Sequence, residues 1–305
     1  MELAVIVLKQ TITMALYMTI GYLLFRNKRI SVEGGKSLAN ILLWLVIPAV
    51  IIHSFCVELT REKLMHLGIS AALGAAALIL AMAISWLIFK KRPVDEFSAA
   101  FSNAGFMGIP LVRACFGEEA VFFLVGFVAF LNVMQWAYGA AVLSHGKVKM
   151  GPKQVLLNPI SIGLLIAILL FVTGLGTRLP QVLQGAIQGI TNLNAPLAMI
   201  LLGVYLGQAD IRSMLSNVRL LGVSAVRLVL IPAITLAMLM LFPVDATIRL
   251  AVLTAACAPV GSNVAVYAQM YGEDSPYACQ AVAMSTLFSI LSMPAVLTIG
   301  GILFS

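Results

Sequence analysis

The stretch AFSNAGFMGIP, residues 100–110, places two glycines and a proline inside an otherwise apolar segment. Pro110 has no amide hydrogen and its ring clashes with the carbonyl four residues earlier, while Gly105 and Gly108 are costly in a helix. A second stretch, ACAPVGSNV at residues 256–264, combines proline and glycine in a similar way. We therefore predict that the backbone unwinds at both places.

The rest of the chain is strongly apolar. Of its 305 residues, 61% are hydrophobic and 10% are charged, and the mean hydropathy is +1.04, whereas soluble domains carry about 25% charged residues. Long uncharged runs of about 20 residues are typical of transmembrane helices, while a β-barrel has shorter alternating segments. We expect an all-α multi-pass membrane protein with ten transmembrane helices, at residues 3–25, 37–57, 66–89, 97–116, 120–144, 155–176, 188–208, 219–241, 247–271 and 276–303.

Positive charge is concentrated in alternate loops. One set of loops carries Arg26, Lys28, Arg29, Lys36, Lys90, Lys91, Arg92, Lys147, Lys149, Lys153, Arg212 and Arg219. The other set carries only Arg61, Lys63, Arg178 and Arg249, mixed with acidic residues. By the positive-inside rule the first set is cytoplasmic, which places both termini outside the cytoplasm. The net charge of +7 therefore reflects topology and predicts no nucleic-acid partner. Because no basic region precedes the first apolar run, no cleaved signal peptide is expected.

A short motif recurs at a distance of about half the chain. Phe-Gly-Glu-Glu at 116–119 returns as Tyr-Gly-Glu-Asp at 271–274, each time after one of the two irregular spans. Five spans per half is an odd number, so the second half would enter the membrane from the opposite side, as in many secondary transporters. We predict a first repeat at 1–145, a short cytoplasmic linker at 146–154 and a second, inverted repeat at 155–305.

Two broken helices at membrane depth point to a binding site. Freed backbone groups there cannot face lipid, so they line a cavity or lie buried in protein. Half-helix N-termini suit a carboxylate, and exposed carbonyls at the other broken ends suit a cation. Asn103, Ser262 and Asn263 are placed to add directional hydrogen bonds. The alternative is that these are proline kinks and glycine packing contacts, but two breaks at corresponding positions favour a site.

Several strings resemble one known family. The segment from Asn103 to Leu111, followed by Phe116-Gly117, is similar to the fourth-helix motif of the auxin efflux carrier family, within the bile/arsenite/riboflavin transporter superfamily. The family's ninth helix is similar to the strings Pro259-x-Gly261, Tyr267-Ala268 and Tyr271-Gly272. Its seventh helix is similar to Asn194-Ala195-Pro196-Leu197 followed by Gly203-x-Tyr205-x-Gly207. The resemblance in helix number and order covers the whole chain.

This resemblance implies a five-plus-five inverted repeat in which helices four and nine are broken and cross. Helices one, two, six and seven would form a scaffold, and the other bundle would carry small organic anions in an elevator movement. A homodimer follows by family analogy. Ser102 stands where the family often has proline, and no acidic residue lies in the third span. Because the long hydrophilic loop of many plant members is also missing, auxin itself is not implied.

The family's substrate-contacting asparagine corresponds to Asn103, and its ninth-helix proline corresponds to Pro259. Asn132 resembles a position that holds a polar group beside the site. Tyr138 lies in the same polar-aromatic group, for which an interfacial aromatic belt is the alternative. The substrate-binding candidates are Asn103, Gly105, Pro110, Asn132, Tyr138, Pro259, Val260, Gly261, Ser262 and Asn263.

Two ionisable side chains inside the spans are candidates for coupling. His53 is a candidate proton carrier because histidine titrates near neutral pH, although a packing role is the commoner one. Arg227 would attract an anion or pair with a carboxylate, but we expect it to snorkel to the cytoplasmic interface. No acidic residue lies deep in a predicted span, so the coupling ion, H⁺ or Na⁺, stays open. Single, scattered cysteines predict no metal site, and no cofactor is expected.

The function that these features favour is secondary-active transport of small organic anions across the cytoplasmic membrane, in the efflux direction. The alternatives are a sodium- or proton-coupled uptake symporter of the same fold, an intramembrane enzyme and a channel. An enzyme would need a nucleophile with a base or a metal cluster, and a channel filter would repeat around a symmetric pore. The chain has no G-x-x-x-x-G-K-[ST] motif, which excludes ATP hydrolysis by that motif.

Overall fold

The computed structural model describes residues 2–147 and 157–304. Most of the predicted linker at 146–154, with Lys149 and Lys153, lies outside the described residues. Numbered in chain order, the helices are α1 (Glu2–Arg26), α2 (Val32–Ser54), α3 (Arg61–Phe89), α4 (Pro93–Ala100), α5 (Ala104–Phe116), α6 (Glu118–Leu143), α7 (Pro159–Thr173), α8 (Gln181–Thr191), α9 (Asn194–Gln208), α10 (Ile211–Ser216), α11 (Val218–Met240), α12 (Ala246–Cys257), α13 (Asn263–Tyr271) and α14 (Ser275–Phe304).

The described part of the chain is all-helical, and it forms a multi-pass membrane protein. Seven stretches are long and apolar enough to cross a membrane, namely α1, α2, α3, α6, α11, α14 and the stretch that joins α8 to α9. Three shorter apolar helices are α5, α7 and α12. Large apolar side chains on α1, α7 and α14 are exposed, as a bilayer allows, among them Leu16, Leu169 and Leu291. The arrangement as ten spans stays a prediction.

Helical hydrogen bonding stops at two places inside apolar segments. Between α4 and α5 the backbone at Phe101–Asn103 is not helical, and between α12 and α13 the same holds for 258–262. The second break lies where the sequence predicted it, at Pro259. The first lies at the start of the predicted stretch 100–110, because residues 104–116 are helical and Pro110 falls within this helix.

Wider helical turns explain why Pro110 does not break its helix. A π-turn at Ala104–Gly108 precedes this proline, and π-turns at Leu42–Val46 and Val226–Leu230 precede Pro48 and Pro232 in the same manner. A π-turn inserts one extra residue, which moves the carbonyl that the proline ring would otherwise strike. The break within residues 100–110 therefore lies at 101–103, and Pro110 itself stays in a helix because the strain is absorbed.

The repeated motif ends both half-helices at a glycine with a positive φ. Gly117 follows α5 with φ +86°, and Gly272 follows α13 with φ +76°. Side chains with a Cβ rarely adopt such positive φ values, so glycine suits this turn at both places. Acidic residues follow each glycine: Glu118 is the first residue of α6, and Asp274 lies just before α14.

Helices α1 and α9 approach each other most closely at two glycines. A Cβ on Gly203 would lie 2.0 Å from the carbonyl oxygen of Met18, and one on Gly21 would lie 2.0 Å from that of Ile200. Backbone contact at this distance requires small residues, as is common where membrane helices pack. The seventh predicted span therefore lies directly against the first.

Charged contacts group the loops into two opposite ends of the molecule. His145 after α6 lies with Nε2 2.8 Å from Oε1 of Glu273, which precedes α14. Arg113 at the end of α5 donates to Glu118 at the start of α6, with 3.0 Å between Nε and a carboxylate oxygen. Because α6 runs from Glu118 to Leu143, these two groups lie at its opposite ends.

Candidate functional site

The two broken segments meet and pair with each other. Ser102 and Val260 form an antiparallel bridge. The amide of Asn103 donates to the carbonyl of Pro259 at 2.8 Å, and the amide of Gly261 donates to that of Phe101 at 2.9 Å. Backbone groups that lost helical partners have therefore found partners across the crossing, as membrane depth demands. We call residues 101–103 and 258–262 together the crossover.

The amide of Val260 is also satisfied, because it donates to Oγ of Ser285 on α14 at 3.1 Å. Gly261 leaves room for the opposite segment: a Cβ there would lie 3.1 Å from the carbonyl oxygen of Ser102 and 3.3 Å from that of Phe101. Pro259 and Val260 thus contribute through their backbone, and Gly261 through its lack of a side chain.

Polar side chains collect on one side of the crossover and line a small cavity. Those of Asn103, Ser102 and Ser262 are buried. Asn263 donates from Nδ2 to Oε1 of Gln135 on α6 at 3.1 Å. The cavity is lined by Leu43, Ile47, Ser102, Asn103, Gly105, Phe106, Val128, Leu131, Asn132, Gln135, Ile160, Gly261, Ser262 and Asn263. Of the ten substrate-binding candidates, the structure brings together six around this cavity.

Asn103 has unsatisfied hydrogen-bonding capacity. Its Nδ2 and the Oγ of Ser102 are buried and have no hydrogen-bond partner in the described structure. A buried amide donor without an acceptor costs about 1–3 kcal/mol. Such a group is expected where a ligand supplies the missing acceptor. Asn132 differs, because its Nδ2 donates to the carbonyl of Val128 in its own helix at 2.7 Å.

A larger vestibule adjoins the small cavity. The crossover cavity itself has a volume of about 30 Å³, which is room for one or two water molecules. The vestibule has a volume of about 220 Å³, and it shares Leu43, Asn132, Ile160 and Asn263 with the cavity. Its aromatic wall includes Trp136. A ligand larger than water thus has space beside the crossover.

Arg227 lies behind the crossover and is 1% exposed. Its Nη1 donates to the carbonyls of Ala99 at 2.9 Å and Ala100 at 3.1 Å, and its Nη2 donates to the carbonyl of Ala256. The expectation that Arg227 snorkels to the interface was therefore wrong. The guanidinium instead stays buried because it satisfies carbonyls at the ends of α4 and α12, which have no donor in a following helical turn.

Asn194 is another polar group that touches the site from a neighbouring helix. Its side chain is fully buried, and Nδ2 lies 3.4 Å from the carbonyl oxygen of Gly105 in the π-turn of α5. Asn194 does not act as a cap, because the N-terminus of α9 uses no side-chain hydrogen bond. The wider π-turn frees carbonyls, which explains a side-chain donor at this position.

Three of the predicted residues lie elsewhere. Pro110 is buried in α5, outside the crossover cavity. Tyr138 donates from its hydroxyl to Glu96 and lines a separate cavity with Lys90 and Lys91. His53 lines a fourth cavity together with Cys56, and its Nδ1 lies 3.8 Å from a carboxylate oxygen of Glu118.

Sequence analysis missed two buried carboxylates. Asp95 and Glu96 on α4 are 0% and 3% exposed. Asp95 accepts from Nε of Arg219 at 2.6 Å and from the hydroxyl of Tyr277 at 2.7 Å. The predicted span began at residue 97, so both residues were assigned to a loop. The Pro93 that follows Lys90-Lys91-Arg92 is the signal for an earlier start, because proline suits the first turn of a helix.

No metal centre forms among the described residues, where no group of three or more histidine, cysteine or acidic side chains is close enough to bind a metal ion. The four cysteines are unpaired. Burial raises the pKa of the Cys56 thiol, which follows α2, so this thiol is not activated as a nucleophile.

Broken helices that cross inside an apolar bundle are a feature of secondary membrane transporters. The sequence profile of the family described as membrane transport protein matches this chain over residues 6–150 and 143–297. The chain therefore belongs to this family, which is that of the auxin efflux carriers, and it is a membrane transporter. A comparison with curated proteins finds no match.

Proposed function

We propose that this protein is a secondary-active transporter that exports small organic anions, in particular carboxylates, across the cytoplasmic membrane. The observation that carries the proposal is the unpartnered, buried Nδ2 of Asn103 at the meeting point of the two breaks. A carboxylate supplies the acceptor that this donor lacks. The helix N-termini of α5 and α13 also begin at the crossover, and their partial positive charge favours an anion.

The proposed architecture has ten spans in two inverted halves. In it, α4 with α5 and α12 with α13 each form one broken span, and α7 is a further short span. The contacts of His145 with Glu273 and of Arg113 with Glu118 group the loops as the alternation of charge requires. The basic loops would then be cytoplasmic, with the start of α1 and the end of α14 outside.

The two walls of the crossover cavity differ in chemistry, which supports an elevator movement. Leu43 and Ile47 of α2 and Ile160 of α7 form an apolar wall. The opposite wall carries Asn103 and Asn263 with their polar neighbours. The apolar wall formed by α2 and α7 makes no directional bonds to the polar side, and the contact of Asn194 on α9 with the Gly105 carbonyl is long, at 3.4 Å. The bundle that holds the anion can therefore slide along this wall. The small volume of the cavity requires such a movement or entry from the vestibule.

Transport into liposomes tests this proposal. The purified chain is reconstituted, loaded with one unlabelled dicarboxylate or monocarboxylate, and supplied outside with the same labelled anion. We expect saturable uptake that depends on the internal anion. Uptake driven only by a sodium or proton gradient would support the symporter instead, product formation an enzyme, and non-saturable flux a channel.

Replacing Asn103 tests the proposed site. Asn103→Ala should lower exchange at least about tenfold, since a directional hydrogen bond to the anion is lost, while the amount of folded protein changes little. Asn192→Ala is the control, because Asn192 is exposed in the turn between α8 and α9 and does not line the crossover cavity. Equal exchange per folded molecule for Asn103→Ala and the native chain would remove Asn103 from the site.

A further inference from the structure

Four helix ends meet at the crossover, and they differ in charge. Helices α5 and α13 begin there with first-turn amides that have no partner in a preceding turn of their own helix, whereas α4 and α12 end there with carbonyls that have none in a following turn. The first pair of ends is partly positive and the second partly negative. Without further groups, the two kinds of end would offset each other, and the crossover would favour neither an anion nor a cation.

Arg227 binds only the negative ends. Its guanidinium spans both broken helices, because Nη1 reaches Ala99 and Ala100 on α4 while Nη2 reaches Ala256 on α12. Arg227 does not line the crossover cavity. It thereby leaves the positive ends of α5 and α13 as the uncompensated charge beside Asn103.

The charge of Arg227 has no ionic partner among the described residues. The described ion pairs involve Arg113, Arg219 and Lys63 with carboxylates, together with His53 and His145, but not Arg227. A buried charge of this kind is costly unless it is paired or solvated by oriented dipoles. The carbonyls of the two broken helices are those dipoles.

Carbonyls at broken helix ends are also the groups that bind a coupling cation in transporters of this general design. We propose that Arg227 is a built-in cation at this position, so that the chain moves its anion without a sodium ion bound to the ends of α4 and α12. The inference rests on the proposed function in taking the crossover as the substrate site. It assigns Arg227 as a positioning residue that acts through these carbonyls.

A purely structural role for Arg227 predicts a different result. If Arg227 only stabilises the bundle, its removal lowers stability and no free cation restores the site. If it replaces a bound cation, Arg227→Ala opens a place lined by three carbonyls that a small cation fills from solution. The distinguishing property is therefore the response of the variant to added cations.

The test measures melting temperatures of the purified full-length chain in detergent, which needs no substrate. Native chain, Arg227→Ala and Arg249→Ala are compared in choline chloride, sodium chloride and guanidinium chloride at equal low-millimolar concentrations. Arg249 is a matched control because its Nη2 also donates to a helix-end carbonyl, that of Phe304 at 3.0 Å, away from the crossover. We expect guanidinium or sodium to raise the melting temperature of Arg227→Ala by a few degrees and to leave the other two unchanged.

Anion exchange in liposomes gives the second readout. Exchange by the native chain should be equal in sodium and choline, and exchange by Arg227→Ala should fall at least about tenfold and recover in part with guanidinium. A folded Arg227→Ala that responds to neither cation would overturn the proposal, as would a sodium requirement or a sodium-induced thermal shift in the native chain.

The conservative variant decides the matter if Arg227→Ala does not fold. Arg227→Lys keeps the charge but lacks the planar fork, so we expect slower exchange that remains independent of sodium. Sodium-dependent exchange by Arg227→Lys would contradict the inference. A native chain that exchanges no organic anion would instead count against the proposed function, while the thermal-shift result would still stand by itself.

Discussion

At the residue scale, the crossover depends on what is absent as much as on what is present. Gly261 has no side chain to separate it from Phe101 and Ser102, and the side-chain Nδ2 of Asn103 has no acceptor among the described residues. The close approach of the backbones fixes where the side-chain amide of Asn103 lies, because the backbone N–H of Asn103 donates to the carbonyl of Pro259. A small displacement of the second segment would therefore move the proposed ligand site.

Adding one methyl group at Gly261 tests this dependence. The new Cβ of Gly261→Ala would lie 3.1 Å from the Ser102 carbonyl oxygen, closer than ordinary contact, so the two segments must shift by a few tenths of an ångström. We expect anion exchange to fall at least about tenfold with a modest loss of stability. Gly185→Ala is the control, because nothing lies within 4 Å of its Cβ. Unchanged exchange by Gly261→Ala would show that the spacing is not critical.

Sequence reasoning identified Asn103 and the Pro259-Gly261 segment because unusual residues mark them. It did not place Arg227, Asp95 and Tyr138 correctly, because residue type does not show which way a side chain points or what it contacts. Whether Arg227 reaches the interface or the interior depends on which face of α11 it occupies and on carbonyls more than a hundred residues away in sequence, such as that of Ala99. Such long-range partners follow from packing, which a single sequence does not specify.

At the element scale, the backbone around a proline decides whether the helix breaks there. Pro110 lies just after a π-turn and is kept inside α5, while Pro259 lies in an extended segment paired with Asn103. Both prolines carry the same sequence signal, and only the tertiary partner separates them. The sequence therefore predicted both irregular stretches, but the proline of the first stretch does not mark the position of the break.

The contact between α1 and α9 provides an element-scale prediction. In Gly203→Ala, a Cβ 2.0 Å from the Met18 carbonyl oxygen would force the two helices apart, because the backbone has no freedom to move aside locally. We expect a loss of stability of about 1–3 kcal/mol or more, seen as a lower melting temperature. Gly222→Ala on α11 should be neutral or slightly stabilising, since its Cβ meets nothing within 4 Å. Equal melting temperatures for the two variants would contradict the close packing.

At the scale of the whole molecule, charge is sorted in two ways. Surface cations gather in alternate loops, from which the positive-inside rule predicts the orientation in the membrane, and Arg227 is held at the carbonyl ends of two broken helices. The first pattern is visible in the sequence because it is linear. The second is visible only after folding, since it depends on α4, α11 and α12 meeting at one point.

The most direct test of the central claim is an experimental density map of the chain in membrane mimetic with a saturating, transported anion. The account predicts density for the carboxylate within hydrogen-bond distance of Nδ2 of Asn103, beside the first turns of α5 and α13, with both breaks still paired. Continuous helices through Ser102 and Val260, or an anion bound at another cavity with the crossover empty, would contradict it.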